Sequence, residues 1–171
     1  MDVRIRDLRA DDRTSLERLL RRVAVFEPHE IVVAMELVAG ALGTSGDYLI
    51  YVAEEAEGRE RSDRGSIVGY ICHGHNPVTD AIHDVYWIAV DPGVQGCGVG
   101  GQLLEFVEER VRRLNGRGIV IETSSRKEYA AARRLYEKSG YQKAADIADF
   151  YKPGDHQLIY VKFVTPSRKD S

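Results

Sequence analysis

The chain has 171 residues, enough for one domain with a substantial hydrophobic core, which we expect to span residues 1–165. A charged content of 30% and a net charge of −3 exclude a general binder of nucleic acid or of membrane surfaces, since both need strongly basic surfaces. Two cysteines, no apolar run of membrane-spanning length and no signal peptide exclude a disulfide-rich secreted domain and indicate a cytoplasmic protein.

The first elements are a strand and two helices. Val3 and Ile5 alternate with arginines, which predicts a strand. Thr14–Glu17 has the form of a capping box and predicts the start of a helix, which Phe26 and Pro28 interrupt. The apolar residues at helical spacing that we expect to face the core are Leu16, Leu19, Leu20 and Val23 in the first helix and Ile31, Met35, Val38 and Leu42 in a second helix over 30–42.

Three strands follow, over 47–54, 66–73 and 84–90. The first two flank the charged run 55–65, which we expect to be a solvated hairpin loop. The third strand ends at Asp91-Pro92-Gly93, and five of the nine residues 93–101 are glycines. A helix with apolar residues at helical spacing comes next. Glycines let a phosphate approach the unpaired N–H groups of a helix start, so this turn predicts an anion site.

Three phosphate-binding patterns can be compared with this turn. A Walker loop needs a lysine, and the turn has none. The dinucleotide fingerprint G-x-G-x-x-G matches Gly96, Gly98 and Gly101 literally, with Glu122 near the ribose-binding position, but residues 91–95 separate the first glycine from the strand. The third pattern, Gln/Arg-x-x-Gly-x-Gly/Ala, is satisfied by residues 95–100.

The C-terminal part predicts a strand over 117–123, a helix over 128–138 and two strands over 141–148 and 157–164. Gly140 ends the helix, and the last two strands are joined by a connection that contains Asp149-Phe150-Tyr151 and Pro153-Gly154-Asp155. The tail over 166–171 is expected to be frayed. The predicted element order is therefore β-α-α-β-β-β-α-β-α-β-β.

A second motif extends the pattern at residues 95–100. Residues 131–141, AARRLYEKSGY, resemble the signature A-x-x-x-Y-E-K-x-G-F/Y, and with the glycine turn they resemble the GNAT superfamily of N-acetyltransferases over about residues 66–164. The resemblance implies an α+β three-layer fold with a mixed, mostly antiparallel sheet, splayed central strands and helices on both faces. It also implies direct transfer of an acetyl group from acetyl-coenzyme A, in a ternary complex, to a primary amine of a small molecule, peptide or protein.

The resemblance also implies where acetyl-coenzyme A binds. The backbone of Ile88, Ala89 and Val90 would pair with the pantetheine arm. The backbone of the turn would hold the pyrophosphate, through Gln95, Gly96, Cys97, Gly98, Val99, Gly100 and Gly101. Tyr129 stands where the family often has an asparagine that contacts pantetheine, so Tyr129 is expected at the cofactor or at the acceptor pocket.

Catalytic roles follow from the same resemblance. Tyr136 matches the general acid that protonates the leaving thiolate. Asp84 lies where one branch of the superfamily carries a glutamate base, and Glu122 is its rival. The residues expected to contact the acceptor are Phe26, Tyr86, Glu122 and Tyr151.

Several alternatives stay open at this point. The chain could be a dinucleotide-binding oxidoreductase module or a non-catalytic sensor of acyl-coenzyme A, and a homodimer is left open. His73 and His75 share a strand face, but no third ligand lies nearby in the sequence, so no metal is expected. Both histidines are expected on the surface or at the mouth of the acceptor cleft.

Overall fold

The structure is a computed structural model that describes residues 1–43, 46–56 and 66–164. Most of the predicted charged loop, residues 57–65, and the predicted frayed tail lie outside the described residues. The chain divides into two compact units, formed by Met1–His73 with Trp87–Leu104 and by Gly74–Tyr86 with Glu105–Ser171. The single domain over 1–165 stays a prediction. Within the described ranges, no helix is long and apolar enough to cross a lipid bilayer.

The elements follow the predicted order. The strands are β1 Val3–Asp7, β2 Leu49–Glu55, β3 Ile67–His75, β4 Ile82–Val90, β5 Gly118–Ser124, β6 Gln142–Lys152 and β7 Asp155–Phe163. The α-helices are α1 Arg13–Arg22, α2 Pro28–Leu42, α3 Val99–Arg113 and α4 Ala130–Lys138. Short 3-10 helices cover Ala10–Asp12, Pro92–Val94 and Lys127–Tyr129.

The seven strands form one sheet in the order β1-β2-β3-β4-β5-β7-β6. β4 and β5 are parallel, whereas the pairs β1–β2, β2–β3, β5–β7 and β6–β7 are antiparallel. The predicted mixed, mostly antiparallel sheet is therefore confirmed. The β4–β5 ladder is short, because it runs only from the Ile82–Gly118 pair to the Val85–Ile121 pair.

The first unit has a core formed by α1, α2 and the strands beneath them. Its buried members include the predicted residues Leu16, Leu19, Leu20, Val23, Ile31 and Val38, packed with Ile50 and Val52 of β2. The prediction for Leu42 is wrong, since its side chain is exposed. Ala34 is buried and Ala41 packs against the cluster, so the inward face of α2 continues at helical spacing through Ala41 instead.

The predicted capping box at Thr14–Glu17 is also wrong. A 3-10 turn precedes α1, which already begins at Arg13, so this segment lies inside the helix. Glu17 does not reach back to an N-cap; its carboxylate pairs with Arg21 at 2.7 Å, one turn further along the helix.

In the second unit, one face of the β5–β7 ladder is covered by α4. Ile119, Ile121 and Tyr160 are buried on that face, and the ring of Tyr136 from α4 lies 5.6 Å from the ring of Tyr160. Because side chains alternate along a strand, Glu122 points to the opposite face. The second unit therefore presents its aromatic core and Glu122 on different sides of the sheet.

The connection between the last two strands is shorter than predicted. Asp149, Phe150 and Tyr151 belong to β6 and do not form a turn. They lie where the β6–β7 register shifts between Ile147 and Lys152, and Asp149 has a positive φ of 54°, so this part of β6 is bulged. The tight turn itself is at Gly154, whose N–H donates to the Asp149 carboxylate at 2.7 Å.

Candidate functional site

The glycine-rich turn connects β4 to α3, as predicted. Gly96 and Gly98 have positive φ values of 82° and 87°, in the left-handed region that side-chain-bearing residues rarely adopt. Nothing lies within 4 Å of the position where a Cβ would stand on Gly96 or Gly101. The backbone therefore faces open space at the start of α3.

The start of α3 fits the phosphate that the resemblance implies. Helix α3 begins at Val99 and has no acidic residue in its first turn, so no carboxylate competes for the unpaired N–H groups or opposes the positive end of the helix dipole. The open space beside Gly96 and Gly101 leaves room for a bulky anion. Binding here would rest on backbone N–H groups, because residues 95–101 carry no charged side chain.

The buried carboxylate of Asp91 fixes the start of this turn, a role that was not identified from the sequence. Asp91 accepts from the N–H of Gly93 at 2.8 Å and pairs with Arg22 at the end of α1, also at 2.8 Å. The sequence showed Asp91 only as a strand stop, because its partner lies 69 residues away. Asp91 and Arg22 together fix where the turn leaves β4.

The β4 residues expected at the pantetheine arm differ in exposure. Ala89 is buried, whereas Ile88 and Val90 are half-buried. The Val90 carbonyl accepts from the side chain of Gln95 at 3.2 Å, so Gln95 folds back onto the strand. A Cβ on Gly69 would stand 3.1 Å from the Ala89 carbonyl and 3.2 Å from Leu103, so glycine there lets α3 pack closely on the strands.

Tyr136 lies in an aromatic cluster on α4. Its ring is buried against Tyr160 at 5.6 Å and Tyr141 at 6.4 Å. Burial, and to a smaller extent the neighbouring Tyr129 and Tyr160, raise the pKa of the Tyr136 phenol well above its ordinary value. This phenol therefore stays protonated at neutral pH, and its O–H is available as a donor.

Asp84 lies on β4, within the short ladder that pairs it with Val120 of β5. Its carboxylate is half-buried and accepts from the side-chain amide of Asn76 at 2.9 Å. Burial raises the pKa of Asp84, while the Asn76 bond and His75 partly oppose that rise. Because residues paired across a ladder point to the same face, Asp84 shares its face with Glu122, two residues after Val120.

A family model described as an acetyltransferase (GNAT) domain matches residues 27–143. Among solved structures, a protein described as a GNAT-family acetyltransferase from Desulfovibrio desulfuricans is 34% identical, with a TM-score of 0.85. The match covers 95% of this chain and 99% of that one. This chain belongs to the GNAT acetyltransferase family. It is therefore an acyltransferase that takes its acetyl group from acetyl-coenzyme A, and the dinucleotide-binding and non-catalytic alternatives fall away.

Two more distant structures share the fold. The ribosomal-protein-S18-alanine N-acetyltransferase from Escherichia coli is 19% identical, with a TM-score of 0.74 and 99% of both chains covered. An aminoglycoside 6'-N-acetyltransferase complexed with coenzyme A is 14% identical, with a TM-score of 0.72 and coverage of 97% and 99%. At such identities the likeness shows the fold alone. A comparison with curated proteins finds no match.

In this GNAT acetyltransferase, Tyr129 ends the 3-10 turn before α4, and the guanidinium of Arg126 lies 5.1 Å from its ring centre. Arg126 in turn lies 3.4 Å from the buried carboxylate of Asp155, which accepts from the Ser124 hydroxyl at 2.5 Å. This brace joins the end of β5 to the start of β7 and to Tyr129. The sequence did not reveal it, because the contacts span about thirty residues.

The residues expected at the acceptor have different surroundings. Phe26 packs against the core of the first unit, with its ring 5.4 Å from Trp87, so it is partly a core residue. Tyr86 and Tyr151 are 38% and 48% exposed, so part of each side chain faces solvent. Glu122 is exposed and accepts from Gln157 at 2.6 Å, which fixes its carboxylate.

The histidines and cysteines have separate environments. His73 is fully buried and stacks on Tyr51 at 5.8 Å, so the expectation that it lies at a surface is wrong, whereas His75 is exposed as expected. Among the described residues, no group of three His, Cys, Asp or Glu side chains could hold a metal ion. Cys97 is exposed, whereas Cys72 is buried, and burial raises its pKa to about 12.

Proposed function

We propose that this GNAT acetyltransferase transfers the acetyl group directly to a primary amine with an apolar body, on a small molecule, a peptide or a protein. Asp84 takes a proton from the amine on one face of the sheet, and Tyr136 donates to the leaving sulfur from the opposite face, beyond the Val85–Ile121 pair where the β4–β5 ladder ends. The backbone of residues 95–101 holds the pyrophosphate. The environment of Asp84 carries the proposal, since a half-buried carboxylate with a raised pKa suits proton abstraction better than an ordinary surface carboxylate.

The base has a defined task. Primary amines have pKa values near ~10, so the acceptor arrives as an ammonium ion and must lose a proton before it can attack. Partial burial makes the Asp84 carboxylate a stronger base, while the Asn76 bond keeps it ionised. Its reach is short, so a water molecule can carry the proton from the nitrogen to Asp84. Glu122, on the same face, is the competing base.

The acid acts as a hydrogen-bond donor. Acetyl-coenzyme A supplies the acetyl group as a thioester, which leaves a thiolate after transfer. Burial keeps the Tyr136 phenol protonated, so its O–H can donate to that sulfur. Because the pKa of Tyr136 is raised, complete proton transfer to a thiolate is uphill. Tyr136 therefore stabilises the departing sulfur mainly by hydrogen bonding.

Direct transfer is favoured over a covalent acetyl-enzyme. Burial raises the pKa of Cys72 to about 12, which removes the thiolate that a nucleophile needs. Cys97 is exposed on the glycine-rich turn, and we assign it no chemical role. Initial-rate plots that intersect, together with full activity of Cys97→Ser, are expected; parallel plots would indicate a covalent intermediate.

The acceptor class follows from the exposed aromatic side chains. Tyr86 and Tyr151 present large apolar surfaces with a polar tip, which suits a ligand with an apolar body beside its amine. A turnover panel tests this with amines of matched pKa, with and without an aromatic body. It also includes peptides with a free N-terminus and the same peptides blocked there but carrying a lysine. Turnover that does not depend on the apolar body would contradict the acceptor class, and no amine turnover would contradict the proposed function.

A further inference from the structure

The turn between β3 and β4 carries an asparagine whose side chain is bonded at both ends. The Asn76 amide nitrogen donates to Oδ2 of Asp84 at 2.9 Å, and its amide oxygen accepts from the N–H of Val78 at 3.2 Å. The reverse orientation would place the amide oxygen against the carboxylate and the NH2 group against the N–H of Val78, so the oxygen end faces the turn and the NH2 end faces the carboxylate. The orientation of the amide is thus determined by its surroundings.

The main chain of the same residue is equally engaged. The N–H of Asn76 donates to the Ile82 carbonyl at 2.8 Å, which ties the turn to the start of β4. Its carbonyl accepts from the N–H and the hydroxyl of Thr79, at 3.1 and 2.9 Å. Asp84 lies two residues after Ile82, so the turn sets the distance between the amide and the carboxylate.

Only one oxygen of the Asp84 carboxylate is hydrogen-bonded to the described residues. Oδ2 accepts from Asn76, whereas Oδ1 accepts no hydrogen bond from the described residues. The other titratable groups around it are His75 from β3, the neighbouring His83 on β4 and Glu122 on the same face of β5. The rings of His75 and His83 lie 5.7 Å apart. Asn76 is thus the donor that fixes which oxygen is left open.

We propose that Asn76 is a positioning residue that holds the Asp84 carboxylate in one rotamer, with Oδ2 engaged and Oδ1 open to the proton of the acceptor amine. This inference rests on the proposed function, in which Asp84 is the base. A donor on Oδ2 also stabilises the ionised form, so Asn76 keeps the half-buried carboxylate able to accept a proton. Without this donor, the carboxylate would rotate and protonate more readily.

Two substitutions of Asn76 test its hydrogen bond to Asp84, one that adds a charge and one that does not. Asn76→Asp keeps an acceptor for the N–H of Val78 but turns a second carboxylate oxygen toward Asp84. Asn76→Ser keeps a hydroxyl, but this side chain is too short to donate to Asp84. We expect the acidic limb of kcat/KM to move to higher pH in both, and further in Asn76→Asp. At a pH on that limb, kcat/KM should fall about threefold in Asn76→Ser and about tenfold or more in Asn76→Asp. The KM for acetyl-coenzyme A should not change.

Thr79→Val is the matched control. It removes the hydroxyl that bonds to the Asn76 carbonyl and to the N–H of Ile82, so it weakens the turn without removing the donor to Asp84. The acidic limb should stay in place. A shift as large as that of Asn76→Ser would show that turn stability explains the effect, and would overturn the inference.

An NMR titration of the Asp84 carboxyl carbon in the full-length protein separates the two hypotheses. In both Asn76 variants the midpoint should rise, whether or not Asp84 is the base. If the midpoint rises and the rates do not follow, the positioning contact holds and the base assignment fails. If it does not rise, the inference about Asn76 is overturned whatever the rates. Thermal unfolding checks that each variant folds. If Asn76→Asp does not fold, Asn76→Ser alone still tests the inference.

Discussion

The glycine-rich turn at residues 95–101 and the region around Asp84 are built in opposite ways. The turn offers backbone N–H groups at the start of α3 and has no charged side chain. The Asp84 region depends on side chains, a carboxylate bonded to an amide next to a histidine pair. A site made of backbone N–H groups is disrupted by added side chains, whereas the pKa of a carboxylate is set by the charges and hydrogen bonds around it. Substitutions should therefore affect binding in the first region and pH-dependent rate in the second.

The largest effect is expected from Gly98→Glu. The residue has a φ of 87°, so any side chain costs about 1–2 kcal/mol, and a carboxylate opposes the phosphate at the helix start. Wild-type protein should be stabilised by about 2.7 kcal/mol at a hundredfold excess of acetyl-coenzyme A over Kd, and the variant should lose this stabilisation. Calorimetric titration and thermal shift measure both quantities.

Gly154→Glu is the matched control, since Gly154 has a φ of 82° and open surroundings but lies in the β6–β7 turn. It should show the backbone strain while keeping the affinity for acetyl-coenzyme A. Wild-type affinity in Gly98→Glu would show that the turn does not hold the phosphate.

Tyr136→Phe should affect rate and leave binding intact. The ring and its packing are retained, but the proposed donor to the leaving sulfur is lost, so kcat should fall about 10²-fold or somewhat less. Tyr160→Phe is the control, because it removes a hydroxyl bonded to Glu137 at 2.9 Å and should lower stability without changing kcat. Single-turnover rates at saturating acetyl-coenzyme A are the measurement. An unchanged rate would reduce Tyr136 to a packing residue.

Asp84→Asn should lower activity and raise stability. Burial raises the pKa of Asp84 in the folded state, so its ionisation costs folding free energy above that pKa, and the cost vanishes below the pKa of the unfolded chain. The variant should therefore unfold at a higher temperature at neutral pH, and this advantage should disappear in acid. Its kcat/KM should fall about tenfold at pH values above the pKa of Asp84 and below that of the amine, where the carboxylate is ionised and the acceptor is an ammonium ion. A loss that is uniform across pH would indicate positioning rather than proton transfer.

The smallest effect is expected from Tyr151→Ala. Loss of one exposed aromatic contact costs about 0.5–1.5 kcal/mol, so the acceptor KM should rise about threefold to tenfold. Acetyl-coenzyme A affinity should not change. Phe150→Ala, the neighbour whose ring is perpendicular to that of Tyr151 at 5.1 Å, is the control and should leave the KM in place. An equal loss of acetyl-coenzyme A affinity would show that Tyr151 is not part of an acceptor wall.

The parts that could be predicted from the sequence depend on local patterns. The element order, the buried face of α1 and the glycine-rich turn all follow from spacing within a few residues. Gly96 and Gly98 adopt the left-handed backbone conformation, which explains why these two positions of the turn are glycines. A contiguous backbone site is therefore visible in one sequence.

The parts that could not be predicted depend on long-range contacts. The role of Asp91 in fixing the glycine-rich turn is visible only when its ion pair with Arg22 is known. The contact of Asn76 with Asp84 is visible only when the structure of the β3–β4 turn is known. The misplaced start of α1 and the bulge at Asp149 have a different cause, because 3-10 turns and register shifts leave weak sequence signals. Roles of single polar side chains therefore needed the structure.

The ion pair between Arg22 and Asp91 has a practical consequence for protein engineering. It ties the last residue of α1 to the carboxylate at the start of the glycine-rich turn, which we propose holds the phosphate. Anyone who grafts a foreign α1–α2 segment to change substrate preference would also exchange this anchor. A chimaera that keeps an arginine at position 22 should retain its cofactor affinity, whereas one without it would lose affinity for a reason unrelated to the new substrate.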